Sequence, residues 1–463
     1  MGVDYDVVIV GSGVVGLFIA YELAHYETKV LVIDRNEEPG FGVSRGHAGV
    51  IHVVQPPFNS LRSRLAIEGN RAYDGIARRL HVHLERLSTL LVAKSPVEVL
   101  AIPIIYLVLR RVYGKYGFRV SMVSWRGLRR LEPNVKGYGA VKVDGYGVIN
   151  SFELVYQLFN FCRVNGVNFM LGTAVLGIRV SGDSIVVSTS KGEVSTRYLV
   201  NAAGLYSADI ARMVGDEFRM EFGKGAMLVF AGRLTNNIVA PLQLIPNPKT
   251  KGGAIIPTAF GNTIWGPSLS YSTREDRSVN EDDVKTLYSK FGTLLRSLST
   301  PIKAYAGVRP IPEGDDFIIT YSKVSRRIIH LVGIESPGLT AAPAIAKKVL
   351  SLLRDAGFNF RIKDTKEVPP LLLTRELIGE GKEVGGVNGE IVCPCMAVSR
   401  GDIKRAIERG AKTLDGVMQL TGLGMGMCQG QCIGRAIKII AEELGVDATQ
   451  LTKSGGDSWL VTR

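Results

Sequence analysis

Four cysteines crowd toward the carboxy terminus: Cys393 and Cys395 with one residue between them, then Cys428 and Cys432 with three. Each pair can grip one metal atom, and thiolate donors select zinc or an iron–sulfur cluster. A pair with a single intervening residue is unusual for zinc. Glycines between Gly422 and Gly430 would offer backbone amides to inorganic sulfide. Elsewhere, His52 could serve as a base, since an imidazole with its ordinary pKa near 6.5 suits proton transfer at neutral pH. Arg309 precedes Pro310, which favours an extended backbone, and a guanidinium holds phosphate or carboxylate through paired hydrogen bonds. Lys224, flanked by Gly223 and Gly225 in what reads as a turn, is a second anion candidate. His25, His81 and His83 read as structural or solvated.

The elements that would position these groups start at the amino terminus. Val7-Val8-Ile9-Val10 is apolar throughout, as suits a strand buried on both faces. Gly11, Gly13 and Gly16 follow in a GxGxxG pattern and open a helix whose apolar face carries Leu17, Ala20, Tyr21, Leu23 and Ala24. A second strand from Lys29 to Ile33 ends in Asp34. Gly11 permits the tight turn, Gly13 lets backbone reach a pyrophosphate, and Gly16 lets helix and strand pack closely. The helix amino terminus favours phosphate, and Asp34 can accept hydrogen bonds from a ribose. FAD and NAD share this fingerprint. No second GxGxxG unit follows downstream, which argues against a flavoenzyme that also binds NAD.

The segment Gly42-Val43-Ser44-Arg45-Gly46-His47-Ala48-Gly49-Val50-Ile51-His52 resembles the second flavin-contacting segment of the D-amino-acid oxidase-like superfamily. It is most similar to the glycerol-3-phosphate and 2-hydroxyglutarate dehydrogenase branch. Further stretches extend the likeness over essentially the whole chain: Asn59 to Arg62 with Leu65, Gly69 and Asn70; Leu131 to Pro133; Gly145 to Asn150; and Asn201 to Tyr206. Pro257-Thr258, Gly261-Asn262, Gly266-Pro267, Ala306 to Pro310 and Gly333 to Thr340 follow in order. The resemblance implies FAD, held by Gly11, Gly13, Gly16, Asp34, Arg35, Ser44, His47, Ala48, Gly49, Ala203, Gly204, Gly338, Leu339 and Thr340. It places the family's catalytic histidine on His52 and favours Arg309 as the substrate's anchor. The turn into a helix near Thr340 would stabilise negative charge on a reduced flavin. His47-Ala48 departs from the family's usual Asn-Ser, whose serine has been associated with substrate contact in the glycerophosphate enzymes.

Residues 362–390, charged and glycine-rich with Pro369-Pro370, read as a linker. Beyond it Ser399 and Asp402 start a helix that Gly410 ends, Thr413 caps another, and a last helix buries Ile433, Ile437, Ile440 and Leu444. This module resembles the bacterioferritin-associated ferredoxin-like domain, which implies a 2Fe–2S cluster on Cys393, Cys395, Cys428 and Cys432. The large subunit of the anaerobic glycerol-3-phosphate dehydrogenases ends in such a module. The spacing from Cys428 to Cys432 is one residue shorter than in the relatives compared.

The net charge of +13 favours anionic partners. Between residues 99 and 131 there are seven basic residues and no acid, directly after an apolar run ending at Leu109. Such a pairing suits anionic lipid or a membrane-anchoring subunit, or else a core helix followed by a solvated basic loop. No nucleic-acid recognition motif accompanies the charge. The absence of a leader before the first strand, and of any apolar run long enough to span a bilayer, points to the cytoplasm with attachment to the inner face of the membrane.

The expected fold is α/β: a Rossmann-like FAD-binding domain (residues 1–86, 145–215 and 301–361) interleaved with a mixed-sheet substrate domain (87–144 and 216–300). A small helical cysteine-rich module (391–463) completes it. The expected activity is oxidation of glycerol 3-phosphate to dihydroxyacetone phosphate, with electrons leaving through the cluster to a membrane partner and quinone. The alternatives are 2-hydroxyglutarate or amino-acid oxidation in the same fold, and a non-catalytic electron-transfer subunit. A homodimer is compatible with all three.

Overall fold

The computed structural model describes residues 3–243 and 252–460. Tyr5–Val10 lies inside a sheet whose order runs Ile318–Tyr321, Ile328–Val332, Gly192–Asn201, Tyr5–Val10, Val30–Ile33, Asn168–Met170. All of these neighbours are parallel except the first pair. Parallel strands are covered on both faces, which is why Val7, Val8, Ile9 and Val10 are all buried. On one face the glycine-rich helix Val14–Leu23 packs with Leu61–Arg79, Ser151–Val164 and Gly338–Asp355. Hairpin Val175–Ser181/Ser184–Thr189 and a smaller apolar cluster cover the other.

Two of these helices meet at very short range. A side chain added at Gly69 would put its Cβ 1.9 Å from the Thr340 carbonyl oxygen. The approach lets Leu61–Arg79 lie directly on the turn that begins Gly338–Asp355. Tyr73 donates to the Leu339 carbonyl at 2.5 Å, and the Thr340 hydroxyl accepts from the His52 amide at 3.0 Å.

The second sheet has ten strands and is built from separated parts of the chain, Leu84–Ala93 and Gly139–Ile149 pairing antiparallel at its centre. Strand Pro301–Pro312, expected on the FAD side of the domain boundary, pairs instead along its length with Met220–Phe230 in this sheet. The start of the return segment, Gly145 to Ile149, likewise belongs here. Trp265, Phe230 and Phe291 fill its main core.

The cysteine module has its own core, but that core starts inside the expected linker. Leu371 and Leu373 are buried in it, and Thr374–Gly379 is helical. Ser399 and Asp402 form the anticipated reciprocal cap, and Thr413 caps Leu414–Thr421. In the last helix the most buried side chains are Ala436, Ile439, Ile440 and Ala441, with Ile433, Ile437 and Leu444 at the margin. Among the described residues no helix is long and apolar enough to cross a membrane.

Gly69→Ala should lower stability by about 1–3 kcal/mol, because the helices must part to admit one methyl group. Thermal denaturation checks this, and an unchanged midpoint would contradict the close approach.

Candidate active site and metal centre

A cavity of about 1170 Å³ runs between the two sheets. Gly11, Gly13, Asp34, Arg35, Ser44, His47, Ala48, His52, Ala203, Gly204, Arg309 and the Gly338–Thr340 turn all line it. Gly16 and Gly49 lie behind the wall.

Its first end is a cradle for a dinucleotide. Gly11 adopts φ +111°, and a Cβ there would sit 2.4 Å from the Ala202 carbonyl oxygen, so only glycine fits. A Cβ on Gly16 would sit 2.0 Å from the Gly11 oxygen. Helix Val14–Leu23 starts without a side-chain cap of its own, and Ser44 Oγ reaches across to accept the Val14 amide at 2.9 Å. That leaves other first-turn amides of the helix facing the cavity for phosphate. Asp34 accepts from the Ser12 amide and hydroxyl, both at 2.7 Å, and from the Asn36 amide at 2.8 Å. With a fourth bond from the Asn36 side-chain amide at 2.9 Å, they fix the carboxylate at the cavity's edge, where a ribose would lie. Arg35 stacks on Tyr206 with 3.7 Å between guanidinium carbon and ring centre. The arrangement fits the adenosine and pyrophosphate of FAD.

The other end holds His52. Its carbonyl accepts from Asn70 at 2.6 Å and its amide is held by Thr340, so the backbone is fixed on both sides. The ring meets Tyr146 edge to face, and Nδ1 lies 2.8 Å from the Gln55 side-chain amide. Burial pushes the imidazole down to about 4. His52 is therefore neutral at physiological pH and able to take a proton. The Gln55 side-chain nitrogen Nε2 is the atom that faces Nδ1, and this contact fixes the orientation of the ring. His47 is buried too, also held down to about 4, and its Nδ1 accepts from the Gly49 amide at 3.2 Å.

Arg309 stands on the strand Pro301–Pro312, 3.3 Å from the buried carboxylate of Glu335. Glu335 also takes Arg62 at 3.1 Å, and Arg62 in turn grips Asp315 with two bonds at 3.0 Å. Asp315 is half exposed, so solvent screens its charge. Arg62, Arg309 and Glu335 all line the cavity. Two guanidiniums thus meet two carboxylates at the cavity wall, Glu335 fully buried and Asp315 half exposed, and both arginines line the space that an anionic substrate would enter. The sequence alone gave Arg62 no role and did not single out Gln55 or Glu335. The glutamate's position before Ser336-Pro337-Gly338 was the only signal available.

Lys224 is a correction. It lies in the middle of strand Met220–Phe230, not in a turn, and is buried against Asp276 at 3.2 Å and Asp283 at 3.6 Å. It does not line the cavity and cannot meet a substrate there.

In the carboxy-terminal module Cys393 Sγ lies 3.8 Å from both Cys395 Sγ and Cys428 Sγ. No cysteine is in a disulfide. Thiolates around one tetrahedral metal at about 2.3 Å would have nearly this separation. Cys393, Cys395 and Cys428 form a group tight enough to hold a metal. Cys432, just before the last helix, interacts with Cys393 and Cys428 from outside that trio. The Gly424 amide points at Cys393 Sγ at 3.5 Å, and a Cβ on Gly426 would come within 3.0 Å of Cys395 Sγ. Close backbone and amides directed at sulfur suit an iron–sulfur cluster.

The module is fastened to the cofactor cradle. Arg45, between Ser44 and His47, forms an ion pair with Asp415, which also takes Lys453 at 2.9 Å. Buried Glu38 accepts from the Lys412 and Thr413 amides, the Thr413 hydroxyl and Tyr156.

A dinucleotide cradle opening onto a neutral histidine and an arginine pair defines a flavin-dependent oxidoreductase. Residues 6–352 match the FAD dependent oxidoreductase family model, and residues 391–442 match the BFD-like [2Fe-2S] binding domain. The chain belongs to the FAD dependent oxidoreductase family, and its cofactors are FAD and a 2Fe–2S cluster. It is 30% identical to a glycerol 3-phosphate dehydrogenase of Caloramator mitchellensis, over 99% of this chain and 98% of that one. It is 23% identical to a subunit of the anaerobic glycerol-3-phosphate dehydrogenase of Escherichia coli K12, over 94% and 88%. Among solved structures, the FAD-bound L-alpha-glycerophosphate oxidase of Mycoplasma pneumoniae superposes with a TM-score of 0.72 at 26% identity, covering 79% of this chain and 99% of that one.

Cys428→Ser should remove iron and sulfide from the purified protein and leave its flavin content unchanged, since the two sites have separate cores. Loss of both together would contradict that separation.

Proposed function

We propose that this chain oxidises sn-glycerol 3-phosphate to dihydroxyacetone phosphate. The carrying observation is the shared cavity, where a neutral imidazole and two arginine guanidiniums line the same space. The 30% identical relative that matches this chain end to end is named for that substrate, which supports the reading. So does the oxidase with the same fold.

Bound FAD supplies the two-electron acceptor. The neutral His52 imidazole takes the proton of the secondary hydroxyl as the alcohol becomes a ketone. Arg309 holds the phosphate, with Arg62 behind it, and Glu335 keeps both guanidiniums in place. Ala48 provides no hydroxyl toward the substrate, so Arg309 carries more of the binding here than it would beside a serine. The apolar wall near His52, including Tyr113 and Tyr146, keeps water from the reacting carbon.

A 2Fe–2S cluster held by Cys393, Cys395, Cys428 and Cys432 would supply an electron relay toward quinone by way of a membrane-anchoring or electron-accepting partner, with the chain peripheral at the inner face of the cell membrane. The bonds from Arg45 and Glu38 to the cysteine module support this route, since they hold the module in one place against the flavin segment. The Escherichia coli relative is named as one subunit of its enzyme, which favours an assembly of this kind.

Two outcomes test the assignments. His52→Gln should slow flavin bleaching by glycerol 3-phosphate by about 10²–10⁴-fold, and Arg309→Met should chiefly raise the substrate concentration required. In the parent protein, bleaching should fall only as pH drops well below 6.5, because the neutral imidazole is the competent form and burial extends its range downward. An acid limb at pH 7 or above, or His52→Gln at the parental rate, would remove His52 as the base.

A further inference from the structure

Helix Ile102–Gly114 is apolar on both sides, although the fold uses only one. Ile102, Ile105, Tyr106, Leu109 and Tyr113 face inward onto the cluster that includes Val120, Val141 and Val143. Tyr113 reaches through to the cavity wall, donating to the Val54 carbonyl at 3.0 Å. The outer side carries Ile104, Leu107 and Val108, and Leu100 precedes it on the same stripe; each is more than half exposed. Spacings of three and four residues bring these four together on one face.

The surface continues past the helix. Val120 packs against the helix, and Met122, two residues along the same strand face, is 54% exposed. Trp125, 52% exposed, begins the next short helix. Cations rim this apolar area: Arg110, Arg111 and Lys115 at the end of the long helix, and Arg126, Arg129 and Arg130 beyond Trp125, all exposed. From residue 99 to residue 131 there is no acid. An exposed apolar area of this extent is rare on a soluble protein without an occupant.

We propose that this face, formed by residues 100–115 and 122–130, docks on the anionic surface of a lipid bilayer. The leucines and Ile104 enter the headgroup boundary, Trp125 sits at its level, and the six cations contact lipid phosphates. Charge complementarity selects lipid: a protein partner would need a matching ring of six acids around an apolar centre, whereas an anionic leaflet presents both layers by its nature. The inner side of the same helix forms part of the cavity wall, so docking would set the active site against the membrane. This inference rests on the membrane-linked electron route proposed above and adds the surface that performs it.

Flotation of the full-length, flavin-loaded protein with vesicles of phosphatidylglycerol and phosphatidylcholine tests it. The parent should float with anionic vesicles, fall several-fold with pure phosphatidylcholine or high salt, and show a blue shift of tryptophan emission that Trp125→Phe abolishes. Leu107→Glu and the double variant Arg110→Glu/Arg111→Glu should each lower flotation at least fivefold with flavin content and bleaching by glycerol 3-phosphate unchanged. No flotation of the parent, or flotation unaffected by Leu107→Glu, overturns the proposal. So does a parent dimer that Leu107→Glu converts to monomer, since a second copy would then cover the face. Bleaching that persists without flotation removes only this surface; absent bleaching with intact flotation removes the enzymatic reading instead.

Discussion

Glu335 is almost completely buried, and a carboxylate in that position is tolerable only with cations against it. It has two. Arg62 comes from the helix behind the cofactor cradle and Arg309 from the long strand of the second sheet, while Glu335 itself sits at the turn into Gly338–Asp355. Three separated parts of the chain therefore meet at one charge, and the cavity is what lies between them. Removing the carboxylate would leave two close guanidiniums repelling each other, while keeping it fixes both at the cavity wall.

Buried charges and hydrogen bonds likewise join the flavin cradle to the cysteine module. Arg45 lies between Ser44, which caps the phosphate-binding helix, and His47, and its guanidinium is committed to Asp415 of the cysteine module. Glu38, fully buried, accepts hydrogen bonds from the Lys412 and Thr413 amides and the Tyr156 hydroxyl instead of pairing with a cation. Groups that shape the flavin cradle on one side hold the cluster module on the other.

Much of this was legible in sequence because local rules sufficed. The run Val7 to Val10, the glycines after it and Asp34 each obey short-range geometry, and Ser399 with Asp402 forms the cap its spacing predicts. What failed depended on tertiary neighbours. Gly223 and Gly225 suggested a turn around Lys224, yet they lie in a strand where added side chains would strike Ile311 and Pro267 at 2.8 and 2.9 Å. The glycines answer packing, and the lysine answers two buried acids. Strand Pro301–Pro312 was put in the wrong sheet because pairing partners eighty residues apart leave no mark on local periodicity. Glu335 and Gln55 were overlooked for a related reason: an acid or amide gains meaning only from the arginine or histidine beside it.

The central claim is that flavin and substrate site belong to one working enzyme. Anaerobic titration of the purified, flavin-loaded chain with glycerol 3-phosphate, with no partner or added acceptor present, tests it most directly. Bleaching of the flavin band by glycerol 3-phosphate, with 2-hydroxyglutarate and proline inert, is the predicted result. A flavin that stays oxidised under glycerol 3-phosphate, or that bleaches equally with 2-hydroxyglutarate, would contradict it.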